Sequence, residues 1–130
     1  RFSLLARTRN LCGDSFHIWS GNDDQVVPMM RLGAVGVISA AANLIPDVMF
    51  RMSHLCLEGN FREAGALQLA YMELIQALFL EVNPIPVKTA MNLAGYGVGS
   101  LRLPLCGMSG DNLETLRQAM VGVGLLQKSA

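Results

Sequence analysis

Residues 33–46, GAVGVISAAANLIP, constrain the fold more than any other stretch of this chain. Their centre, residues 35–39, is a short β-branched apolar run flanked by glycine and small side chains, with no alternation of polar and apolar positions. That is the pattern of a strand covered on both faces, as in a parallel sheet. A buried parallel strand needs a neighbour, and residues 16–20, FHIWS, offer one that ends at Gly21. Between the two, residues 23–32 read as a short helix closed by Gly33. Strand, helix and strand at this spacing form one βαβ unit, whose crossover is expected to be right-handed.

Downstream the apolar spacing becomes helical. Pro46 and Asp47 open a helix, and Val48, Met49, Met52, Leu55 and Cys56 recur at three- and four-residue steps until Gly59 ends it. Asn60 with Glu63 is a capping box for the next helix. Its face, Phe61, Ala64, Leu67, Leu74 and Leu78 with Tyr71 and Ile75 beside it, continues to about Leu80. The short link between these helices predicts an antiparallel pair, with Met49, Met52 and Met72 as core fillers. Residues 83–88, NPIPVK, carry two prolines and are stiff and extended, leading into a helix from about Val87 to Leu93. Residues 95–99 read as a loop. Residues 101–105, LRLPL, form an extended return in which Arg102 is an ion-pairing or carbonyl-binding residue. Asp111 with Glu114 is a second capping box, opening a last helix with Leu113, Leu116, Met120 and Val121 on its apolar face. At the other end, residues 2–7 are helical in pattern, without an N-cap or lead-in, and run to Leu11 or Cys12 with Gly13 as a left-handed terminator. The expectation is that Arg1 lies inside a helix of a longer protein; a native start is the alternative.

Composition narrows the function classes. Ten basic residues balance ten acidic ones, which leaves no electrostatic footprint for nucleic acid or for membrane phosphates. With 52% hydrophobic and 15% charged residues, the 130-residue chain is of globular type and of ordinary domain size. Cys12, Cys56 and Cys106 are odd in number and unpaired in spacing, so neither a disulfide framework nor a zinc site is expected, and a reducing, cytoplasmic setting is. No apolar run approaches the roughly 20 residues that span a bilayer. His17 and His54 have no nucleophile or metal-ligand neighbour in sequence.

Five segments then align in order: SGND at 20–23, GVIS at 36–39, Asn43, NPIPVK at 83–88 and LRLPL at 101–105. Together they resemble the C-terminal part of the dihydrodipicolinate synthase family, pyruvate-dependent lyases and aldolases to which N-acetylneuraminate lyase also belongs. NPIPVK is the most specific of them, and the match covers nearly the whole chain. The resemblance implies an α/β fold. Residues 1–45 would supply the last two βα units of a (β/α)8 TIM barrel, and residues 46–130 a C-terminal helical domain. A two-stranded parallel piece has two unpaired edges, so the expected partner is the N-terminal barrel segment of the same protein.

The site follows from that placement. Barrel chemistry gathers at the carboxyl ends of the strands, where Gly21 stands, free of a side chain that would keep a small substrate from the backbone; a plain turn glycine is the alternative. Asn22, Asp23 and Asp24 suit a helix start. Capping is the expectation for Asp24, whereas the resemblance makes Asp23 a residue lining the site. Family members usually carry an acidic residue where Asn22 stands. The isoleucine matching Ile38 contacts pyruvate in the family, although periodicity alone makes Ile38 barrel core. Asn83 is carried over as a substrate-binding residue, and Asn43 closes a turn or bonds loop backbone. Lys88 and Lys128 are the only lysines. Lys88 is expected to be structural, the imine-forming lysine of the family and its tyrosine and arginine partners belonging upstream of Arg1. No catalytic residue is therefore expected here. The implied reaction is condensation of pyruvate with aspartate semialdehyde through a lysine Schiff base, toward diaminopimelate and lysine. No metal or cofactor is implied, and the whole enzyme is expected to be a homotetramer. The alternatives are a sister aldolase on the same scaffold and a non-catalytic assembly piece, and the isolated chain is expected to be inactive.

Overall fold

The computed structural model describes residues 2–127; Arg1 and Lys128 lie outside them. Helix α1, Phe2–Cys12, stops where Gly13 takes φ +76°. Arg9 ties its end to the next segment, donating to the Phe16 carbonyl at 3.3 Å and pairing with Asp14 at 3.2 Å.

Strands β1, Trp19–Ser20, and β2, Gly36–Val37, pair in parallel with Trp19 opposite Gly36 and Ser20 opposite Val37. Bonds from the Val35 N–H to the Ile18 carbonyl and from the Ile38 N–H to the Ser20 carbonyl, both 2.8 Å, extend the ladder by one step at each end. The strands are thus shorter than the expected residues 16–20 and 35–39. Neither outer edge has a partner among the described residues, so only the mutually bonded centre holds strand geometry. Burial on both faces is not seen either. Ser20 is buried against the helices, while Trp19 and Ile38, on the opposite face by alternation, are 49% and 73% exposed because no second layer covers them. Gly36 has a local reason: a Cβ there would sit 3.1 Å from Cδ1 of Trp19, whose indole lies across it.

The segment between the strands begins as a 3-10 turn, Asp23–Gln25, and continues as α2, Val26–Arg31, which Gly33 closes at φ +102°. A second 3-10 turn, Ala41–Asn43, follows β2 and leads into α3, Pro46–Leu57, with Pro46 in its first turn and Gly59 at φ +80° beyond its end. The helix expected from Phe61 to Leu80 is two helices: α4, Phe61–Ala70, and α5, Met72–Ala77. Tyr71 leaves helical geometry between them (φ −108°, ψ 5°). The break lets α4 lie on α2 and α3 while α5 turns toward the C-terminal helix and the Asp23–Gln25 turn. Asn60 caps α4, accepting from the Glu63 N–H at 3.3 Å and donating to its carboxylate at 2.9 Å. Its own N–H goes to the Leu55 carbonyl, so the reciprocal half of the capping box is replaced by the end of α3.

Helix α6, Ile85–Leu93, starts two residues before the expected Val87, with Pro86 in its first turn, where a missing N–H costs nothing. Residues 101–105 are a turn, closed by the Leu105 N–H on the Arg102 carbonyl at 3.0 Å, rather than an extended return. Arg102 is exposed, with no ion pair or carbonyl partner among the described residues. Helix α7, Gly110–Gly122, is not opened by the Asp111–Glu114 pair: it begins at Gly110, which puts Asp111 inside the first turn. A distant carboxylate does the capping. Glu81 accepts from the Ser109 N–H at 2.9 Å and the Asn112 side chain at 2.8 Å, and these hydrogen bonds hold it below the usual carboxylate range. One apolar cluster runs from Val26 and Met30 through Met49, Met52, Leu74 and Leu78 to Leu116 and Met120, continuous across residues 45 and 46.

Candidate functional site

The parallel ribbon delivers Gly21 and Ile38 to the same end, side by side, because the Ile38 N–H bonds the Ser20 carbonyl. There they line a cleft of about 390 Å³. Its far wall is the start of α6 with Asn83 and Lys88, and Asn43 stands on its rim. Three of the four expected site residues, Gly21, Ile38 and Asn83, thus share one concavity although 62 positions separate the first from the last (83 less 21). Phe79 and Met91 line it too. Neither carried a sequence signal beyond its place in an apolar helical pattern.

Gly21 has no positive φ, and a Cβ built on it would meet nothing within 4 Å. Neither backbone conformation nor packing inside the described chain asks for glycine, so the turn-glycine alternative loses its physical reason. Gly21 also lines a second cleft, beside Leu5, Ile18 and Met29.

Asp23 is placed elsewhere. It is 1% exposed, and its Oδ2 accepts from the backbone N–H groups of Ala40 and Ala41, both at 3.0 Å. It braces the turn that follows Ile38 from behind and does not line the cleft. Its other oxygen, Oδ1, is buried with no protein partner. Asp24, expected as a cap, contributes its carbonyl instead, which accepts from the Gln68 side chain. Asn43 closes its own turn, donating to the Ala40 carbonyl at 3.0 Å.

Gln68 is the residue that sequence reasoning missed. It is 5% exposed, and its Oε1 accepts from the Val27 N–H at 2.8 Å while its Nε2 holds the Asp24 carbonyl. No neighbouring side chain caps α2, so Gln68 satisfies an end amide from a helix 41 residues away. The only signal was a polar residue four positions after Ala64, on the apolar face of α4.

Lys88 reaches the loop beyond α6, donating to the Ser100 carbonyl at 2.7 Å, as a structural lysine would. His54 stacks on Phe50 with ring centroids 3.8 Å apart, and His17 meets Trp19 edge-on. Burial raises the Cys56 thiol, which leaves it unreactive, while Cys12 and Cys106 are exposed. Among the described residues no helix is long and apolar enough to cross a membrane, and no three His, Cys, Asp or Glu side chains gather as a metal-binding group.

The family model of the dihydrodipicolinate synthetase family matches residues 1–121. A 4-hydroxy-tetrahydrodipicolinate synthase from Clostridium novyi is 51% identical over 119 residues, covering 92% of this chain and 40% of its own length. A solved dihydrodipicolinate synthase from Aquifex aeolicus superposes with a TM-score of 0.93 at 38% identity, over 99% of this chain and 44% of that one. The chloride-inhibited synthase from Acinetobacter baumannii, solved in complex with pyruvate, gives a TM-score of 0.88 at 30% identity, over 94% and 42%. These likenesses imply the TIM-barrel fold with C-terminal helices, of which the described residues hold a two-stranded ribbon and seven α-helices. The chain spans about two fifths of the length of the curated relative. A match along nearly the whole chain, at about half identity, makes this chain a member of the dihydrodipicolinate synthetase family.

Proposed function

We propose that the chain is the carboxyl-terminal part of a synthase that condenses pyruvate with aspartate semialdehyde, residues 1–45 being the last two βα units of the barrel and residues 46–130 the helical domain. The division is one of layers, since both strands precede residue 46 and every later element is helical. The observation that carries the reading is the cleft at the strand ends, where Gly21, Ile38 and Asn83 converge. Ile38 is 73% exposed and gains nothing from burial in this chain. It gives one apolar wall to a small keto acid, and Gly21 lets that acid approach the backbone. The Acinetobacter relative, solved with pyruvate, supports the choice of ligand.

In this reading a lysine from the preceding barrel segment attacks the pyruvate ketone and expels water to form an imine. Loss of a methyl proton gives an enamine, whose carbon adds to the aldehyde, and cyclisation through the substrate amine frees the lysine. This chain's residues bind and orient. Asn83 presents an amide to the cleft, and Asp23 fixes the Ala40–Ala41 backbone so that Ile38 keeps its position. The uncovered ribbon edges and the exposed faces of Trp19 and Ile38 are where the N-terminal barrel segment completes the sheet. In this reading the whole enzyme is a cytoplasmic homo-oligomer, a tetramer.

The test is Gly21→Val in the complete protein, assayed for pyruvate-dependent consumption of aspartate semialdehyde. A Cβ at this position meets no atom of the described chain. Turnover should fall by two orders of magnitude or more, about 3 kcal/mol of lost transition-state binding, in a protein that keeps its native circular dichroism. Unchanged turnover would remove Gly21 and its cleft from the site.

A further inference from the structure

Two clefts meet at Phe79. One is the strand-end cleft of about 390 Å³; the other, of about 260 Å³, lies between the Asp23–Gln25 turn and the end of α5, lined by Asn22, Asp24, Ile75 and Gln76. Among the described residues, Phe79 alone belongs to both linings. Its backbone is anchored. Leu78 beside it is fully buried, and its own N–H bonds the Gln76 carbonyl in the last turn of α5 at 3.0 Å. On that anchored backbone Phe79 is left 44% exposed, between the two openings.

The two sides differ in chemistry. The strand-end cleft has an apolar wall of Ile38, Val87 and Met91 beside Phe79, whereas the second cleft presents two amides and a carboxylate. Among the described residues, the hydrogen bonds of Asn22, Asp24 and Gln76 run through their backbones, which leaves these three polar heads uncommitted.

We propose that Phe79 is a specificity-determining residue: its ring ends the strand-end cleft and so limits the aldehyde substrate to a short chain. The proposal rests on the reading that pyruvate and the aldehyde combine in this cleft. Removing the ring joins the two clefts and puts hydroxyl-binding groups at the far end. Asn22 and Gln76 can donate to a hydroxyl or accept from it, and Asp24 can accept. Asp24 also repels a carboxylate there, so the enlarged site favours a neutral polyhydroxylated aldehyde over a longer acidic one. With such an aldehyde the enamine carbon bonds to the aldehyde carbon as before. Water, rather than a substrate amine, then releases the lysine and leaves a 4-hydroxy-2-keto acid.

The experiment uses the complete protein, unmodified and as Phe79→Ala, Phe79→Leu and the double variant Phe79→Ala with Asp24→Ala. Pyruvate consumption is followed with aspartate semialdehyde, glyceraldehyde and arabinose, and kcat/KM for arabinose is divided by that for glyceraldehyde in each protein. Phe79→Ala should raise this ratio about tenfold or more, the discrimination an apolar wall supplies, with the pyruvate KM within about twofold. Phe79→Leu should raise it less, and the double variant should give back about threefold as a hydroxyl partner is lost. A ring that serves only packing would lower the melting temperature and slow all three aldehydes by one factor, and that unchanged ratio overturns the assignment. Where Phe79→Ala does not fold, Phe79→Leu decides by the same ratio. A gain that the double variant keeps in full would overturn the joining of the two clefts. Absence of condensation in the unmodified protein would overturn the synthase reading and this assignment with it, whereas condensation with an unmoved ratio would overturn only the latter.

Discussion

Replacing Gln68 by leucine tests whether the loop carrying Gly21 is held by the helical layer rather than by its own sequence. Leucine matches the volume but can neither accept the Val27 N–H, now 2.8 Å from Oε1, nor donate to the Asp24 carbonyl. Each backbone group left unpaired in a largely buried place costs about 1–3 kcal/mol. The added apolar burial of leucine at a position only 5% exposed returns about 1–2 kcal/mol. The net loss expected is about 2–3 kcal/mol, the middle of those ranges, read as the shift in urea midpoint multiplied by the slope of the transition, followed by circular dichroism. Hydrogen exchange supplies the local readout. The Val27 amide should lose protection well before amides in the middle of α3, because α2 has no side-chain cap from its own N-cap residue. A shift under about 0.5 kcal/mol with Val27 still protected would show that the turn stands without Gln68, and the coupling between α4 and the Gly21 loop would be refuted.

Glu81 predicts an acid-side loss. Its carboxyl is lowered by the Asn112 side chain and the Ser109 N–H, so its contribution is present above the unfolded value, roughly 4.3, and fades as pH falls through the lower folded value. In Glu81→Gln the stability profile from pH 5 to pH 2 should be flatter, and an unchanged profile would mean that Glu81 does not anchor α7. Cysteine labelling should divide by burial: with a neutral alkylating reagent at pH 7.5 the native protein takes label at Cys12 and Cys106, while Cys56, buried and with a raised thiol pKa, reacts only on unfolding. Rapid labelling of Cys56 in the native state would contradict the packing of α3. Leu74→Ala, at a side chain with no exposure, should cost about 2–5 kcal/mol in the same urea assay, and a value below 1 would place Leu74 outside the core.

What could be read before the structure was what neighbouring residues decide. Gly13, Gly33 and Gly59 end their helices at positive φ, Pro46 opens α3 and Asn60 caps α4, because such signals act within one turn of chain. What escaped is decided at a distance. The break at Tyr71 follows from α4 and α5 facing different partners, the cap of α7 comes from Glu81, and the cap of α2 comes from Gln68. The strand lengths escaped for the same reason, since pairing at the two ribbon edges is set by what lies beyond them. Within the proposed site, the gathering of Gly21, Ile38 and Asn83 was legible only through family resemblance, as no periodicity joins residues just past β1, just past β2 and just before α6. Asp23 shows the limit of that route. Its position matched a residue of the site, but its carboxylate points to backbone N–H groups behind the turn.

In the proposed enzyme this chain walls a site whose imine-forming lysine belongs to the preceding barrel segment. Incubation of the complete protein and of the isolated chain with pyruvate, followed by borohydride reduction and peptide mass mapping, tests it most directly. A reduced pyruvate adduct is expected on the complete protein, on a peptide outside these residues, and none on the isolated chain. An adduct on Lys88 or Lys128, or no adduct on a complete protein that turns over, would contradict it.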